Sequence, residues 1–248
     1  MNTLIRIILG SVLTLGAARA ETASFRNDIL PILARAGCAN GSCHAKQGGQ
    51  NGFQLSIFAY DPKEDYRQIV HEARGRRIFP AAPEESLLLL KATQEIDHEG
   101  GKRFEKESEF YRALHAWIGQ GAPWSGTNEP ILSHIKVEPG EGQYQKGTEQ
   151  QLKVTAVFSD QSERDVTHLS EYQSNDQSIA TVDHDGNVVV GGISGEAVIV
   201  ARYMDKVEVS RLAVPSDKRL PAEIYDKLVS YNEIDRLVHE RHRQLGLL

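Results

Sequence analysis

Apolar positions recur at helical spacing in the first half of this 248-residue chain and alternate in the second. In FRNDILPILARAG, Phe25, Ile29, Ile32 and Leu33 share one face of a helix. Pro31 is accommodated there near the first turn or as a slight kink. SLLLLKAT (86–93) reads as a short buried helix. EFYRALHAWIGQGAP (109–123) puts Phe110, Tyr111, Leu114, Trp117 and Ile118 on one stripe, and Gly119, Gly121 and Pro123 then stop it. The first half is thus expected to be a small all-α domain rich in loops.

Six strand-like runs follow over 131–214. Leu152, Val154, Ala156 and Phe158 alternate with polar residues, the period of a half-buried strand. Asp185-Gly186, between ATV and NVVV, signals a hairpin because glycine tolerates the positive φ of a tight turn. Short strands joined by such turns predict an all-β sandwich. A linker, GAPWSGTNEP, occupies about 121–130. After Pro215 an amphipathic helix carries Ile234, Leu237, Val238 and Leu245 within a tail spanning 220–248. Because an exposed apolar face ordinarily packs against something, that tail is expected to open a third domain cut short.

The N-terminus adds an address. Arg6, an apolar run over 7–15 and the Ala18, Arg19, Ala20 cleavage pattern make residues 1–20 a signal peptide. Its apolar run is too short to span a bilayer, and no later stretch could, so no stable membrane span is expected after cleavage. The mature chain is expected in the periplasm or cell envelope, where thiols oxidise. Its length suits two domains plus a remnant. A net charge of −6 and a pI near 5.9 give no general basic face, so nucleic acid is not an expected partner.

GCANGSCHAKQG (37–48) holds the only two cysteines, Cys38 and Cys43, with His44 directly after the second. Four chemistries could use them. A zinc site needs a fourth ligand from His71, His98 or a carboxylate. A disulfide across the short loop suits an oxidising space. A redox dithiol wants two intervening residues where this chain has four. Covalent haem needs Cys and His in succession, as at Cys43-His44, although the usual spacing is C-x-x-C-H and this one is C-x-x-x-x-C-H.

GCANGSCHAKQGGQNGFQLSIFAYDPKEDY, EARGRRIFPAAPEESLLLLKAT and HEGGKRFEKESEFYRALHAWIGQGAP resemble the cytochrome c-like domain of planctomycete-type secreted proteins. ILSHIKVEPGEGQYQKGTEQQLKVTAVFSDQSERDVT and YQSNDQSIATVDHDGNVVVGGISGEAVI resemble the bacterial immunoglobulin-like group 2 domain that follows it in that family. The resemblance implies a cytochrome c-like haem domain over 21–126 and an immunoglobulin-like domain over 131–214, with the family's next large domain only begun. It implies one haem c, attached through Cys38 and Cys43 with His44 as proximal iron ligand. Methionine, the familiar axial partner, is limited to Met1 and Met204. His98, on the loop before the last helix, is therefore the distal candidate, and Gly100 and Gly101 would let the backbone approach a flat ring.

Arg76 and Arg77 are candidates to fork haem propionates. Two imidazoles would lower the potential relative to His/Met ligation and leave no open position. The expected role is then electron transfer to a redox partner protein, without a catalytic constellation. The β domain is expected to be a spacer or adhesion module with a cell-surface or polysaccharide ligand. His134, His168 and His184 are scattered, and Asp183, Asp185 and Asn187 are explained by a turn. The alternative is a haem-free envelope-binding protein with a Cys38–Cys43 disulfide.

Overall fold

The computed structural model describes residues 22–41, 43–45, 49–124, 128–218 and 220–247; the proposed signal peptide lies outside them. Among the described residues, no helix is long and apolar enough to cross a membrane.

The first half is built on short helices: a π-helical turn, Phe25–Ile29, running into α1 (Leu30–Arg35), then α2 (Pro62–Val70), α3 (Leu87–Ala92) and α4 (Glu109–Gly119). Ser24 caps the first turn by accepting from Asn27 N–H. Pro31 shapes the junction with α1, because it has no N–H to return to the Asn27 carbonyl. Arg164, from the β half, donates Nη1 to that carbonyl at 2.9 Å and to Asp28 Oδ1 at 2.8 Å.

Phe25, Ile29, Leu33, Leu114, Trp117 and Ile118 form the buried core expected of this half. Trp117 packs its ring 5.5 Å from that of Phe25 and donates Nε1 to the Pro123 carbonyl at 2.9 Å. Helix α2 was not anticipated. PKEDYRQIV has few apolar positions, and its N-terminus rests on Asp61 accepting from Glu64 N–H, with Pro62 in the first turn.

The β half contains ten strands rather than six runs: β1 (Leu132–Glu138), β2 (Glu141–Gln143), β3 (Glu149–Gln151), β4 (Lys153–Phe158), β5 (Glu163–Asp165), β6 (Glu171–Ser174), β7 (Ala180–Val182), β8 (Asn187–Val190), β9 (Gly195–Tyr203) and β10 (Lys206–Val214). They form three sheets ordered β1-β4-β5, β2-β10-β9-β6 and β3-β8-β7. All neighbours are antiparallel except β2 with β10. Along β9, Ala197, Ile199, Ala201 and Tyr203 are buried at every second position, as the pleat requires. The expected turn lies between β7 and β8, with Gly186 at φ +81°.

Two further helices, α5 (Ala222–Asp226) and α6 (Glu233–Leu245), close the described chain. On α6 only Leu245 is buried; Ile234, Leu237 and Val238 are exposed. The two halves also meet away from the linker. Arg35 donates to the carbonyls of His168 (3.2 Å) and His184 (2.9 Å), and Arg202 lies 3.9 Å from the centre of the Phe58 ring. Those contacts join residues far apart in sequence, and no local pattern announces them.

Candidate functional site

Helix α1 ends in a way that aims Cys38. Gly37 N–H donates to the Ala34 carbonyl and Cys38 N–H to the Leu33 carbonyl, with Gly37 at φ +73°. This is a Schellman motif, which needs a left-handed residue just past the helix and gets it from glycine. The next turn closes on itself: His44 N–H donates to the Cys38 carbonyl at 3.1 Å, and Cys43 N–H to that of Asn40 at 2.9 Å. These two bonds return Cys43 and His44 to the backbone of Asn40 and Cys38.

His44 is then fixed from the other side. Its carbonyl accepts from Leu55 N–H, its Nδ1 lies 3.2 Å from the Phe53 carbonyl oxygen, and its ring packs on that of Phe53 at 4.6 Å. His98 is held in the same manner, with Nδ1 2.9 Å from the Gly101 carbonyl oxygen and Gly101 N–H returned to the His98 carbonyl. A carbonyl can only accept, so Nδ1 is the protonated nitrogen in each ring, the tautomer that leaves the Nε2 lone pair available whenever the ring is neutral. This is the anchoring expected of metal-ligating histidines. Gly100 permits it, since a Cβ there would stand 2.9 Å from the His98 ring.

The two rings, 54 positions apart in the chain, lie nearly parallel, 8° between planes and 6.3 Å between centres. Two imidazoles on opposite faces of one metal, bound through bonds of about 2 Å with each ring centre about 1 Å behind its nitrogen, stand roughly 6 Å apart. The 6.3 Å between the two ring centres matches that spacing and is too wide for direct ring-on-ring stacking. Both rings line a bay of about 1150 Å³ together with Cys38, Cys43, Arg76, Arg77 and Arg103. That exceeds the ~300–1000 Å³ of ordinary small-molecule pockets, room for a tetrapyrrole.

Burial, the largest cause, lowers the pKa of His44, and the nearby His98 and Arg77 push the same way against the Phe53 hydrogen bond. The ring is accordingly neutral and able to ligate. Burial pushes the Cys38 thiol up to about 11 in spite of Arg103. A thiol held protonated makes a poor redox nucleophile, which counts against a thioredoxin-like dithiol. No disulfide joins Cys38 to Cys43 in this structure. Among the described residues no group of three or more His, Cys, Asp or Glu is arranged to hold a metal ion, so a four-ligand zinc site has no geometry here. A haem iron asks only two axial ligands of the protein, and the paired imidazoles fit that demand.

The arginines divide differently from the expectation. Arg77 is buried, and its fork is committed to the carbonyls of Gln68 (2.7 Å), Glu72 (3.1 Å) and Gly52 (3.3 Å) while its plane lies over Phe53. It braces the wall of the bay. Arg76 is exposed at the bay and remains the candidate for an acidic group. His71 and His115 lie elsewhere, against Tyr66 and 3.4 Å from Glu84 respectively. Asp183 spends Oδ1 on the N–H groups of Asp185 and Asn187, as a turn residue does.

The β half is where known proteins are recognisable. Residues 132–201 match the model of the bacterial Ig-like domain (group 2). This stretch is a bacterial Ig-like domain. No curated protein matches the chain. Among solved structures, domains 4 and 5 of the S-layer protein SbsC share 21% identity over 36% of this chain and 54% of that chain, with a TM-score of 0.31. An intimin mutant of EHEC O157:H7 shares 21% over 47% of this chain and 69% of that one, with a TM-score of 0.27. The chain thus spans about half the length of the first of these.

Proposed function

We propose that this is an exported c-type haem protein serving electron transfer or redox coupling, with its Ig-like domain as a spacer or adhesion module in the periplasm or cell envelope. The observation that supports it is the pair of nearly parallel imidazoles, 6.3 Å between ring centres and each with Nδ1 anchored to a carbonyl, in a bay that both cysteines also line. When bound, haem supplies one-electron redox chemistry. Cys38 and Cys43, which line the bay, would hold the group through thioether bonds. His44 and His98 would supply imidazole Nε2 to the iron. The carbonyls of Phe53 and Gly101 hold the two rings through Nδ1, and a pair of imidazole ligands would suit electron transfer.

The test is an alkaline pyridine haemochrome spectrum of protein matured alongside the cytochrome c assembly machinery, after acid-acetone extraction. A c-type band that resists extraction supports covalent haem. Colour that is extracted would leave binding without thioether bonds.

A second reading is favoured by the match at 132–201: a haem-free envelope-binding module in which Cys38 and Cys43 form a structural disulfide. Colourless protein without reactive thiols, from cells that mature a control cytochrome, would support it over the first.

A further inference from the structure

Arg103 stands between the two segments that carry the histidines. Its backbone N–H donates to the Ala92 carbonyl at the end of α3 (2.7 Å), and the neighbouring Phe104 is buried in the core. The residue's origin is thus fixed. From there Nε donates to the Ala36 carbonyl at 2.7 Å and Nη1 to the Gly100 carbonyl at 2.8 Å. Ala36 closes α1, two residues before Cys38; Gly100 lies two residues after His98. Nη2 rests against Gly37 so closely that a Cβ there would stand 2.5 Å away.

One guanidinium therefore ties the stem of the thiol loop to the stem of the His98 turn and lines the bay between them. The task suits arginine, whose rigid plane presents several donors in fixed directions, whereas a lysine ammonium is a point donor on a flexible stem. The His98 turn has few other ties to the core. Lys91 donates to the Asp97 carbonyl, and the two bonds between His98 and Gly101 lie within the turn itself.

We infer that Arg103 is a positioning residue that sets the gap between the two histidine-bearing segments and so keeps the His98 side of the bay closed to small exogenous ligands. The inference rests on the haem reading of the same bay. Arg103 acts on that reading through Ala36 and Gly100, without itself touching iron.

The test uses the full chain, wild type, Arg103→Ala and Arg103→Lys, each matured with the same assembly machinery. Pyridine haemochrome spectra should show equal covalent haem in all three. The wild type should be six-coordinate and low-spin, and slow to take up carbon monoxide when reduced. Both variants should gain high-spin character. Apparent carbon monoxide affinity scales with the fraction of molecules that are open, and should rise roughly tenfold. Added imidazole should restore the low-spin spectrum, as loss of one ligand predicts and general loosening of the pocket does not.

Variants with the wild-type spectrum and carbon monoxide affinity would overturn the inference while leaving the haem reading intact. If Arg103→Ala does not fold, Arg103→Lys decides between the same two outcomes. A colourless wild type would overturn both.

Discussion

The β half and the bay half solve the same problem, satisfying backbone polar groups, by different means. In the β half, strands satisfy one another: β9 and β10 pair over nine residues, from Tyr203 with Lys206 to Gly195 with Val214. In the bay half the helices are short, and much of the backbone is met by side chains. Arg77 takes three carbonyls, Arg103 takes two, and His44 and His98 one each. The first arrangement makes a spacer that tolerates change on its surface. The second makes each polar side chain answerable for a loop, which is what a site needs if two distant rings are to face one another.

The largest effect expected of breaking this contrast lies at Trp117. Trp117→Ala, at a position with no exposure, should cost about 3–5 kcal/mol, read by chemical denaturation. Because the β half donates Arg164 to the helix beneath Trp117, hydrogen exchange should quicken in peptides of both halves. Gly37→Ala should cost ~1–2 kcal/mol from its left-handed backbone alone, and more for the contact with Arg103; a shift in the denaturation midpoint tests it. Arg164→Ala leaves the Asn27 carbonyl without its donor. The side chain is half exposed, so solvent limits the loss to about 1 kcal/mol. Exchange in the two halves should then uncouple. Asp183→Ala, confined to one hairpin, should cost ~0.5 kcal/mol and leave the visible spectrum of the protein unchanged.

The sequence made the β half legible because its information is local. Alternation at Leu152, Val154, Ala156 and Phe158 names the buried face, and Asp185-Gly186 names a turn. The short strand β2 escaped notice because three mostly exposed residues carry no period. In the bay half, Cys38, Cys43, His44 and His98 could be singled out by residue type and order. What holds them could not. The carbonyls of Phe53 and Gly101 are invisible to any reading of side chains, and Arg77 and Arg103 gave no sign of pointing at backbone. Pro31 sits in the first turn of α1, one of the two placements the sequence allowed, but that it frees a carbonyl for the other half of the molecule could not be read.

The paired imidazoles carry the haem reading, and their ring planes can be read directly by low-temperature electron paramagnetic resonance of the oxidised protein. Two nearly parallel imidazoles at 8° predict a rhombic low-spin ferric signal that disappears in His98→Ala. A high-spin signal in the wild type, a strongly anisotropic signal of crossed planes, or a rhombic signal that survives in His98→Ala would contradict it.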